Sequence, residues 1–163
     1  MFTLGILTIS DKGSQGERAD ESSIVIREVL SACDVQVVQY SIVPDEAELI
    51  SAKIVEWADK ESIDLILTTG GTGLSPRDVT PEATLAVLDR SAPGFVEAIR
   101  AESLKKTAKA MLSRAVAGIR GGSLIINLPG SPRAVRECLE VILPVLPHAI
   151  EVLRGEVGEC GDH

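Results

Sequence analysis

Aromatic residues are scarce in this sequence, whose 163 residues include one Trp, one Tyr and two Phe. Proteins that bind single-stranded nucleic acid stack bases on aromatic side chains, so the composition disfavours that class. The net charge of −8 argues against non-specific nucleic-acid binding and against anionic membranes, because both require a basic surface. An anionic substrate would therefore need local help from a metal ion, helix N-termini or a few placed Lys and Arg residues.

Cysteine and histidine are also too few and too dispersed for a zinc site. Cys33, Cys138 and Cys160 are far apart and form no C-x-x-C pair, and the chain has two histidines. This spacing disfavours zinc binding and predicts reduced, packed or idle thiols in a cytosolic protein. No apolar run approaches the ~20 residues of a membrane helix, and the apolar segment 1–9 lacks the features of a signal peptide. We therefore expect a cytoplasmic protein with neither nucleic-acid nor membrane partners.

Strand-like and helix-like segments alternate along the chain. Strands are predicted at 3–9, 35–43, 64–69 and 123–128, and helices at 20–32, 45–58, 80–88, 94–105, 131–143 and up to about 154, whereas 115–122 could be strand or loop. Alternation of this kind predicts an α/β protein, a three-layer α/β/α domain with a mostly parallel sheet. We place the single domain at 1–155 and expect a frayed tail at 156–163.

Four loops are expected to meet at the carboxyl edge of this sheet, where α/β folds bind their ligands: 10–19, 44–46, 70–80 and 129–131. The most informative lies in TTGGTGLSPRDVTPEA at 68–83, which leaves a buried strand and ends at a helix start. Gly70, Gly71 and Gly73 let backbone N–H groups turn toward a ligand, which favours phosphate binding at the following helix. The segment is neither a P-loop nor a dinucleotide fingerprint, and a purely structural turn remains an alternative.

Two aspartates, Asp45 and Asp78, follow neighbouring strands and are expected to lie close together. Two carboxylates that face a phosphate-binding loop are what a Mg²⁺–nucleotide site requires, so the pattern predicts phosphoryl or nucleotidyl chemistry. Each has a simpler explanation. Asp45 could only cap the next helix, with Glu48 completing a capping box, and Asp78 could only form a solvated ion pair with Arg77.

Two further loops are candidate anion sites. NLPGSP at 127–132 ends a buried strand and opens a helix, with Ser131 as the N-cap and Pro132 at the first helical position. Ser10, Asp11 and Lys12 follow the first strand. An ordinary connection between strand and helix would explain 127–132 equally well, and a polar turn would explain 10–12.

Together these motifs resemble the molybdopterin adenylyltransferase family, which includes MogA-type proteins, the G domain of the plant molybdenum-cofactor enzyme and the N-terminal domain of gephyrin. The resemblance covers nearly the whole chain. Its carriers are ISD at 9–11, VPDE at 43–46, TTGGTG-x-x-PRDVTPEAT at 68–84, ESLK at 102–105, AGIRG at 117–121 and NLPGSP at 127–132. It implies a molybdopterin-binding-like fold, usually assembled as a homotrimer, with a hexamer as the larger option.

The resemblance also implies an activity: transfer of AMP from Mg·ATP to the terminal phosphate of molybdopterin, with release of pyrophosphate. Asp45 and Asp78 match the paired catalytic aspartates and would hold Mg²⁺. Substrate binding is expected from Ser10, Asp11, Gly70, Gly71, Thr72, Gly73, Arg77, Ser103, Asn127, Pro129, Gly130 and Ser131. On charge alone, Arg77 is expected to neutralise the departing pyrophosphate. The product would be handed to a molybdenum insertase.

The alternative is a non-catalytic pterin-binding or scaffold protein of the related MoaB type. Retention of both Asp45 and Asp78 argues against it, because binding alone does not require a pair of metal-holding carboxylates. The region 140–151 lacks the hairpin insertion of some bacterial members, which leaves the oligomer contacts and any partner-docking surface open.

Overall fold

Six β-strands form one mixed sheet in the computed structural model, which describes residues 1–157. They are β1 (Phe2–Ile9), β2 (Val35–Val43), β3 (Leu65–Thr69), β4 (Arg90–Ser91), β5 (Ala117–Arg120) and β6 (Ser123–Leu128). Their order across the sheet is β2-β1-β3-β6-β5-β4. Neighbours among β2, β1, β3 and β6 are parallel, whereas β5 runs antiparallel to β6 and β4 antiparallel to β5. The prediction of a mostly parallel sheet is confirmed.

Helices cover both faces of this sheet. They are α1 (Asp11–Ser14), α2 (Glu21–Leu30), α3 (Ala47–Val55), α4 (Thr80–Leu85), α5 (Gly94–Leu104), α6 (Pro132–Ile142) and α7 (Leu146–Leu153). A π-helical turn, Glu56–Lys60, extends α3, and a 3-10 turn, Ala108–Leu112, follows α5. Buried residues of α2, α5, α6 and α7 pack on one face, and those of α3 and α4 pack on the other. The predicted three-layer α/β/α architecture is therefore confirmed.

The central strands are buried along their full length. Every residue of β3 and β6 is buried, as is typical of parallel strands covered by helices on both faces. Gly5 in β1 has a specific packing role, because a Cβ at this position would lie 2.8 Å from Cε3 of Trp57. Without that side chain, the indole packs directly on the sheet and is almost completely buried.

Most predicted boundaries agree with the structure to within a few residues. The predicted strands 35–43 and 123–128 match β2 and β6 at both ends. The predicted loop 10–19 was wrong in part, since Ser10 caps the short helix α1 by accepting a hydrogen bond from the Gly13 amide. The ambiguous segment 115–122 contains β5, and the two-residue strand β4 was not predicted.

None of the helices within residues 1–157 combines the length and apolar character needed to span a membrane. The domain limits of 1–155 stay a prediction. Most of the tail expected to be frayed, 158–163, lies outside the described residues, as does Cys160.

Candidate active site

A cavity of about 640 Å³ lies at the carboxyl ends of β1, β2, β3 and β6. In doubly wound sheets, ligands bind at the point where the connections from two adjacent strands run in opposite directions across the sheet. Here that point lies between β1 and β3. The cavity wall brings together seven of the predicted site residues: Ser10, Asp45, Gly70, Gly71, Asp78, Gly130 and Ser131. The expected convergence of the four loops is thus present in the structure. The strands that precede Asp45 and Asp78 are not neighbours as predicted, because β1 lies between β2 and β3.

Asp45 forms hydrogen bonds with Asp11 and does not cap the helix that follows it. Its Oδ2 accepts a hydrogen bond from the Asp11 amide, and its own amide donates to Asp11 Oδ1, both at 3.0 Å. Glu46 is the N-cap residue of α3, and no side chain bonds the free amides there. The capping explanation of Asp45 was therefore wrong, and its carboxylate is placed at the cavity by tertiary structure.

Arg77 joins this pair from the opposite loop. Its Nε and Nη2 donate to the two carboxylate oxygens of Asp11, at 3.0 and 2.8 Å. Arg77 therefore pairs with the distant Asp11, and not with its neighbour Asp78 as the simpler explanation proposed. The two-point geometry is the one in which a guanidinium binds a carboxylate best, and it links the glycine-rich loop to α1.

The pKa values of Asp45 and Asp11 are shifted in opposite directions because their surroundings differ. Burial raises the pKa of Asp45, and the neighbouring charges of Asp11 and Asp78 raise it further, against the amide hydrogen bond from Asp11 and the charge of Arg77. Hydrogen bonding from Arg77, followed by the Asp45 amide, lowers the pKa of Asp11. The repulsion between Asp45 and Asp78 favours a bound cation, because a cation would relieve it.

The glycines at 70 and 71 are required by the backbone. Gly70 has φ = 101° and Gly71 has φ = 70°, in the region where a side chain is strained. A Cβ on Gly70 would overlap the Ile9 carbonyl oxygen, and one on Gly71 would overlap Thr80 Oγ1 and lie 3.0 Å from Asp45 Oδ1. The loop therefore packs directly against Asp45, and its first two residues leave no room for side chains.

Asp78 lies in a tight turn of the same loop. Its Oδ2 accepts from the Ser75 amide at 3.0 Å, and its amide donates to the Ser75 carbonyl at 2.9 Å. A Cβ on Gly73 would lie 3.0 Å from Asp78 Oδ2, so this glycine also makes room for the carboxylate. The turn fixes the carboxylate at the cavity wall.

The NLPGSP loop closes the cavity on its other side. Ser131 caps α6 as predicted, accepting from the Ala134 amide at 3.1 Å. The loop is tied to its neighbours through carbonyls, since Thr69 Oγ1 donates to Pro129 O at 2.6 Å and Ser22 Oγ donates to Gly130 O at 2.7 Å. The N-terminal ends of α2 and α6 therefore meet beside the cavity, which favours negative charge there.

A second cavity of about 360 Å³ adjoins the first, and Ser131 lines both. The predicted residues Ser103, Asn127 and Pro129 line this second cavity, with Arg100 and Lys109 also on its wall. Its surface is otherwise largely apolar, with Val96 and Ile99 contributed by α5. The structure thus separates the predicted site residues into two adjacent groups.

Asn127 is buried, and its side-chain amide is fully engaged within the protein. Its Nδ2 donates to Thr68 Oγ1 at 2.9 Å and Thr84 Oγ1 at 3.1 Å, and its Oδ1 accepts from the Val116 amide at 3.2 Å. The amide joins β6, β3 and α4 below the cavities. Its predicted contact with substrate stays a prediction.

The remaining predicted residues, Asp11, Thr72, Gly73 and Arg77, line neither cavity. They contact residues that do: Asp11 holds Asp45, Arg77 holds Asp11, and Gly73 accommodates Asp78. Thr72 is buried, and its carbonyl accepts a hydrogen bond from the Arg114 amide.

Sequence reasoning missed two residues around the site, Asp20 and Arg114. Asp20 was predicted only to cap α2, which it does through Oδ1. It also lines the cavity, and its Oδ2 accepts hydrogen bonds from Thr8 Oγ1 and from the Tyr40 hydroxyl. Burial raises the pKa of Asp20, yet these hydrogen bonds outweigh burial and lower it overall. No local motif predicts the contacts of Arg114 or the bonds of Asp20 to Thr8 and Tyr40, because these partners are distant in sequence.

The carboxylates fit a magnesium ion that arrives with a nucleotide. Within residues 1–157 no group of three or more His, Cys, Asp or Glu side chains could hold a metal ion. Mg²⁺ in nucleotide sites takes one or two carboxylates, and phosphate oxygens and water complete its octahedron. Asp45 and Asp78 supply that donor set beside a loop suited to phosphates.

Comparisons with known proteins identify the family to which the chain belongs. Residues 5–148 match the family model described as a probable molybdopterin binding domain. The chain is 46% identical to a molybdopterin adenylyltransferase of Helicobacter pylori over 154 residues, covering 93% of this chain and 88% of that protein. It is 39% identical to the molybdopterin adenylyltransferase of Escherichia coli K12 over 166 residues, with 93% and 85% covered.

A solved structure extends the comparison to three dimensions. The molybdopterin biosynthesis enzyme MoaB from Thermus thermophilus superposes with a TM-score of 0.91 at 56% identity, covering 95% of this chain and 98% of that one. The resemblance inferred from the motifs is thereby confirmed. The chain belongs to the molybdopterin-binding domain family.

Proposed function

We propose that this protein is a molybdopterin adenylyltransferase of molybdenum cofactor biosynthesis, which transfers AMP from ATP to the terminal phosphate of molybdopterin and releases pyrophosphate. The observation that carries this proposal is the placement of Asp45 and Asp78 on the wall of one cavity, beside a glycine loop without side chains at Gly70 and Gly71. That combination suits a nucleotide triphosphate and its metal ion better than it suits an uncharged ligand.

The reaction joins two anions, so charge repulsion is its main obstacle. A phosphate oxygen of molybdopterin forms a bond to the α-phosphorus of ATP, and the bond from that phosphorus to the bridging oxygen of pyrophosphate breaks. Oriented N–H groups and positive charge lower the barrier of such transfers, and no covalent intermediate with the protein is needed. Bound by Asp45 and Asp78, Mg²⁺ would supply positive charge at the α-phosphate.

The protein's own groups would hold the phosphates. The loops that begin at Gly70 and Gly130 border the cavity, and the N-terminal ends of α2 and α6 lie beside it. Free backbone amides at helix N-termini bind phosphate and favour negative charge. These elements would fix the triphosphate in line with the attacking oxygen.

Arg77 would take up the charge of the departing pyrophosphate. In the structure, its side chain is 57% exposed and pairs with Asp11, whose side chain is 37% exposed. Because both side chains are partly exposed, a phosphate can reach the guanidinium and replace the Asp11 carboxylate with an equivalent two-point pair. The guanidinium can therefore move from Asp11 to the product without a large rearrangement of the fold.

The two cavities suggest how the substrates divide. ATP would occupy the larger cavity with Asp45 and Asp78, and the pterin would occupy the smaller, more apolar cavity beside α5. Ser131 lines both and marks the junction where the reacting phosphates would meet. Arg100 and Lys109 on the second wall would attract the anionic pterin phosphate.

A non-catalytic pterin-binding or scaffold protein of the MoaB type is the second candidate. A structure named MoaB is 56% identical to the chain, whereas the curated relatives at 46% and 39% identity are named molybdopterin adenylyltransferase, which favours the enzyme. The retained pair Asp45 and Asp78 does favour catalysis, because a scaffold would gain nothing from two mutually repelling carboxylates at its cavity.

Pyrophosphate release from ATP, Mg²⁺ and molybdopterin tests the proposal directly. We expect turnover by the wild-type protein and none by Asp78→Asn, since an amide preserves shape but binds Mg²⁺ poorly. Asp34→Asn is the matched control, because Asp34 is an exposed aspartate that pairs with the N-terminus. Pterin binding without pyrophosphate release would instead support the scaffold.

The assembly and the cellular setting complete the proposal. We propose a cytoplasmic homotrimer, or a hexamer of two trimers, with small-molecule substrates and one site in each subunit. Adenylylated molybdopterin is an activated, labile anhydride, which suits direct transfer to an enzyme that inserts molybdenum.

A further inference from the structure

Arg114 clamps both ends of the loop that carries Asp78. Its Nε donates to the Gly73 carbonyl at 2.8 Å, and its Nη2 donates to the Asp78 carbonyl at 2.7 Å. Its Nη1 pairs with the Glu82 carboxylate in α4, and its backbone amide donates to the Thr72 carbonyl at 2.8 Å. One residue thus fixes the entrance of the loop, its exit and the helix that follows.

An arginine is suited to this task in a way that a lysine is not. The guanidinium holds its N–H donors in a rigid plane and can bind three separate acceptors at once. A lysine at 114 would keep the positive charge, and with it the attraction to Glu82, but could not bridge both carbonyls in the same geometry. The two functions of the side chain, charge and bridging, can therefore be separated by substitution.

We propose that Arg114 is a positioning residue for the metal-binding carboxylate of Asp78. Closing the loop from Gly73 to Asp78 keeps the short turn in which the Ser75 amide bonds Asp78 Oδ2. Arg114 lines neither cavity, and each of its three side-chain nitrogens bonds to the loop or to Glu82, so it acts through Asp78 and not by touching a substrate. This assignment rests on the proposed function, in which Asp78 and Asp45 hold Mg²⁺.

The Mg²⁺ dependence of pyrophosphate release by Arg114→Lys is the first test. Loss of a residue that orients a metal ligand typically costs about 10- to 100-fold in metal affinity or activity, so we expect half-maximal activity to require that much more Mg²⁺. The KM for molybdopterin should stay at the wild-type value. An unchanged Mg²⁺ dependence in Arg114→Lys overturns the assignment. A rise in the KM for molybdopterin as large as the rise in the Mg²⁺ requirement overturns it too.

Two variants serve as controls. Arg120→Lys is the matched one, because Arg120 also binds a carbonyl, Val87 O at 2.9 Å, and a carboxylate, that of Asp59, both of which lie outside the loop from Gly73 to Asp78. It should leave the Mg²⁺ dependence unchanged. Glu82→Gln keeps both carbonyl bonds of Arg114 and should also behave like the wild type. An effect of Glu82→Gln as large as that of Arg114→Lys would assign the role to the ion pair and overturn the clamp.

Two further measurements do not depend on turnover. Amide hydrogen exchange of Ser75 and Asp78 in the metal-free protein should speed up in Arg114→Lys and not in Arg120→Lys. Calorimetric titration of Mn·ATP should show weaker binding to Arg114→Lys, whereas adding the same change to Asp78→Asn should cause no further loss. Independent, additive losses would contradict action through Asp78. Failure of the wild type to release pyrophosphate would refute the proposed function, while these binding and exchange results would still decide the role of Arg114.

Discussion

Asp11 and Asp45 hold each other by reciprocal hydrogen bonds, each between the amide of one residue and the carboxylate of the other, at 3.0 Å. The pair joins the loops that follow β1 and β2, although 34 residues separate its members. Oδ2 of Asp45 accepts the hydrogen bond from the Asp11 amide, and Oδ1 points toward Gly71. One oxygen therefore fixes the carboxylate, while the other faces the glycine loop.

Asp45→Asn should abolish adenylyl transfer without destabilising the protein. The pKa of Asp45 is raised in the fold, chiefly by burial, so its ionised form costs stability once the pH rises through that pKa. An amide avoids this cost and can still accept from the Asp11 amide. At neutral pH the Tm of the variant should equal or exceed that of the wild type, and the difference should shrink in acid. A clearly lower Tm at neutral pH would contradict this account of the residue.

Arg77→Ala should move the acidic limb of the pH–rate profile to higher pH. Hydrogen bonding from Arg77 is the largest cause of the lowered pKa of Asp11, and its charge also lowers that of Asp45. Without it both pKa values rise, so the ionised Asp45 needed for metal binding is lost at a higher pH. Carboxyl carbon NMR and the pH dependence of kcat/KM measure the two effects. Arg77→Lys keeps the charge and should shift the pH–rate profile less than Arg77→Ala does. Equal shifts in the two variants would show that the charge of Arg77 is not the cause.

Gly71→Ala should destabilise the protein more than Gly16→Ala. Both glycines have left-handed backbones, with φ of 70° and 76°, where alanine costs roughly 1–2 kcal/mol. A Cβ on Gly16 would meet nothing within 4 Å, whereas one on Gly71 would overlap the buried Thr80 hydroxyl. Overpacking adds typically about 1–3 kcal/mol, which urea denaturation can resolve. Equal losses in the two variants would mean that the loop can move away from Thr80.

Light scattering should find a mass of three times the 17.3 kDa subunit, or twice that for a hexamer. Exposed apolar side chains such as Leu74, Leu85 and Met111 favour burial in an assembly, and closed cyclic symmetry buries such surfaces without forming filaments. A monomer at all concentrations would refute the trimer. The site assignments would stand, because all the assigned residues belong to one chain.

The sequence predicted the three layers well, because the burial of apolar residues determines which segments form the sheet and the helices that cover it. The apolar run at 65–67, which continues into two buried threonines, is typical of a strand covered on both sides, and Ser131 followed by Pro132 marks the start of α6 by local chemistry alone. Periodicity was less reliable at the surface: Leu49 fits the apolar stripe of α3 but is 44% exposed.

The contacts of the site were harder to predict, because they join distant segments. A local rule offered a helix cap as the simpler explanation of Asp45, but its carboxylate accepts a hydrogen bond from the distant Asp11 amide instead. Arg77 likewise pairs with Asp11 and not with its neighbour in sequence. Nothing near Arg114 indicates that its partners lie more than thirty residues earlier, at Gly73 and Asp78. Such pairings become visible only when the strand order is known.

The loops around the cavity bond to one another as well as to their own strands. Ser22 holds the carbonyl of Gly130, Thr69 holds that of Pro129, and Arg77 reaches Asp11 from the glycine loop. Opening any one of these loops removes hydrogen-bond partners from another, so partial melting of the site is penalised. Catalytic competence and the folded state should consequently disappear together on heating, as one cooperative transition.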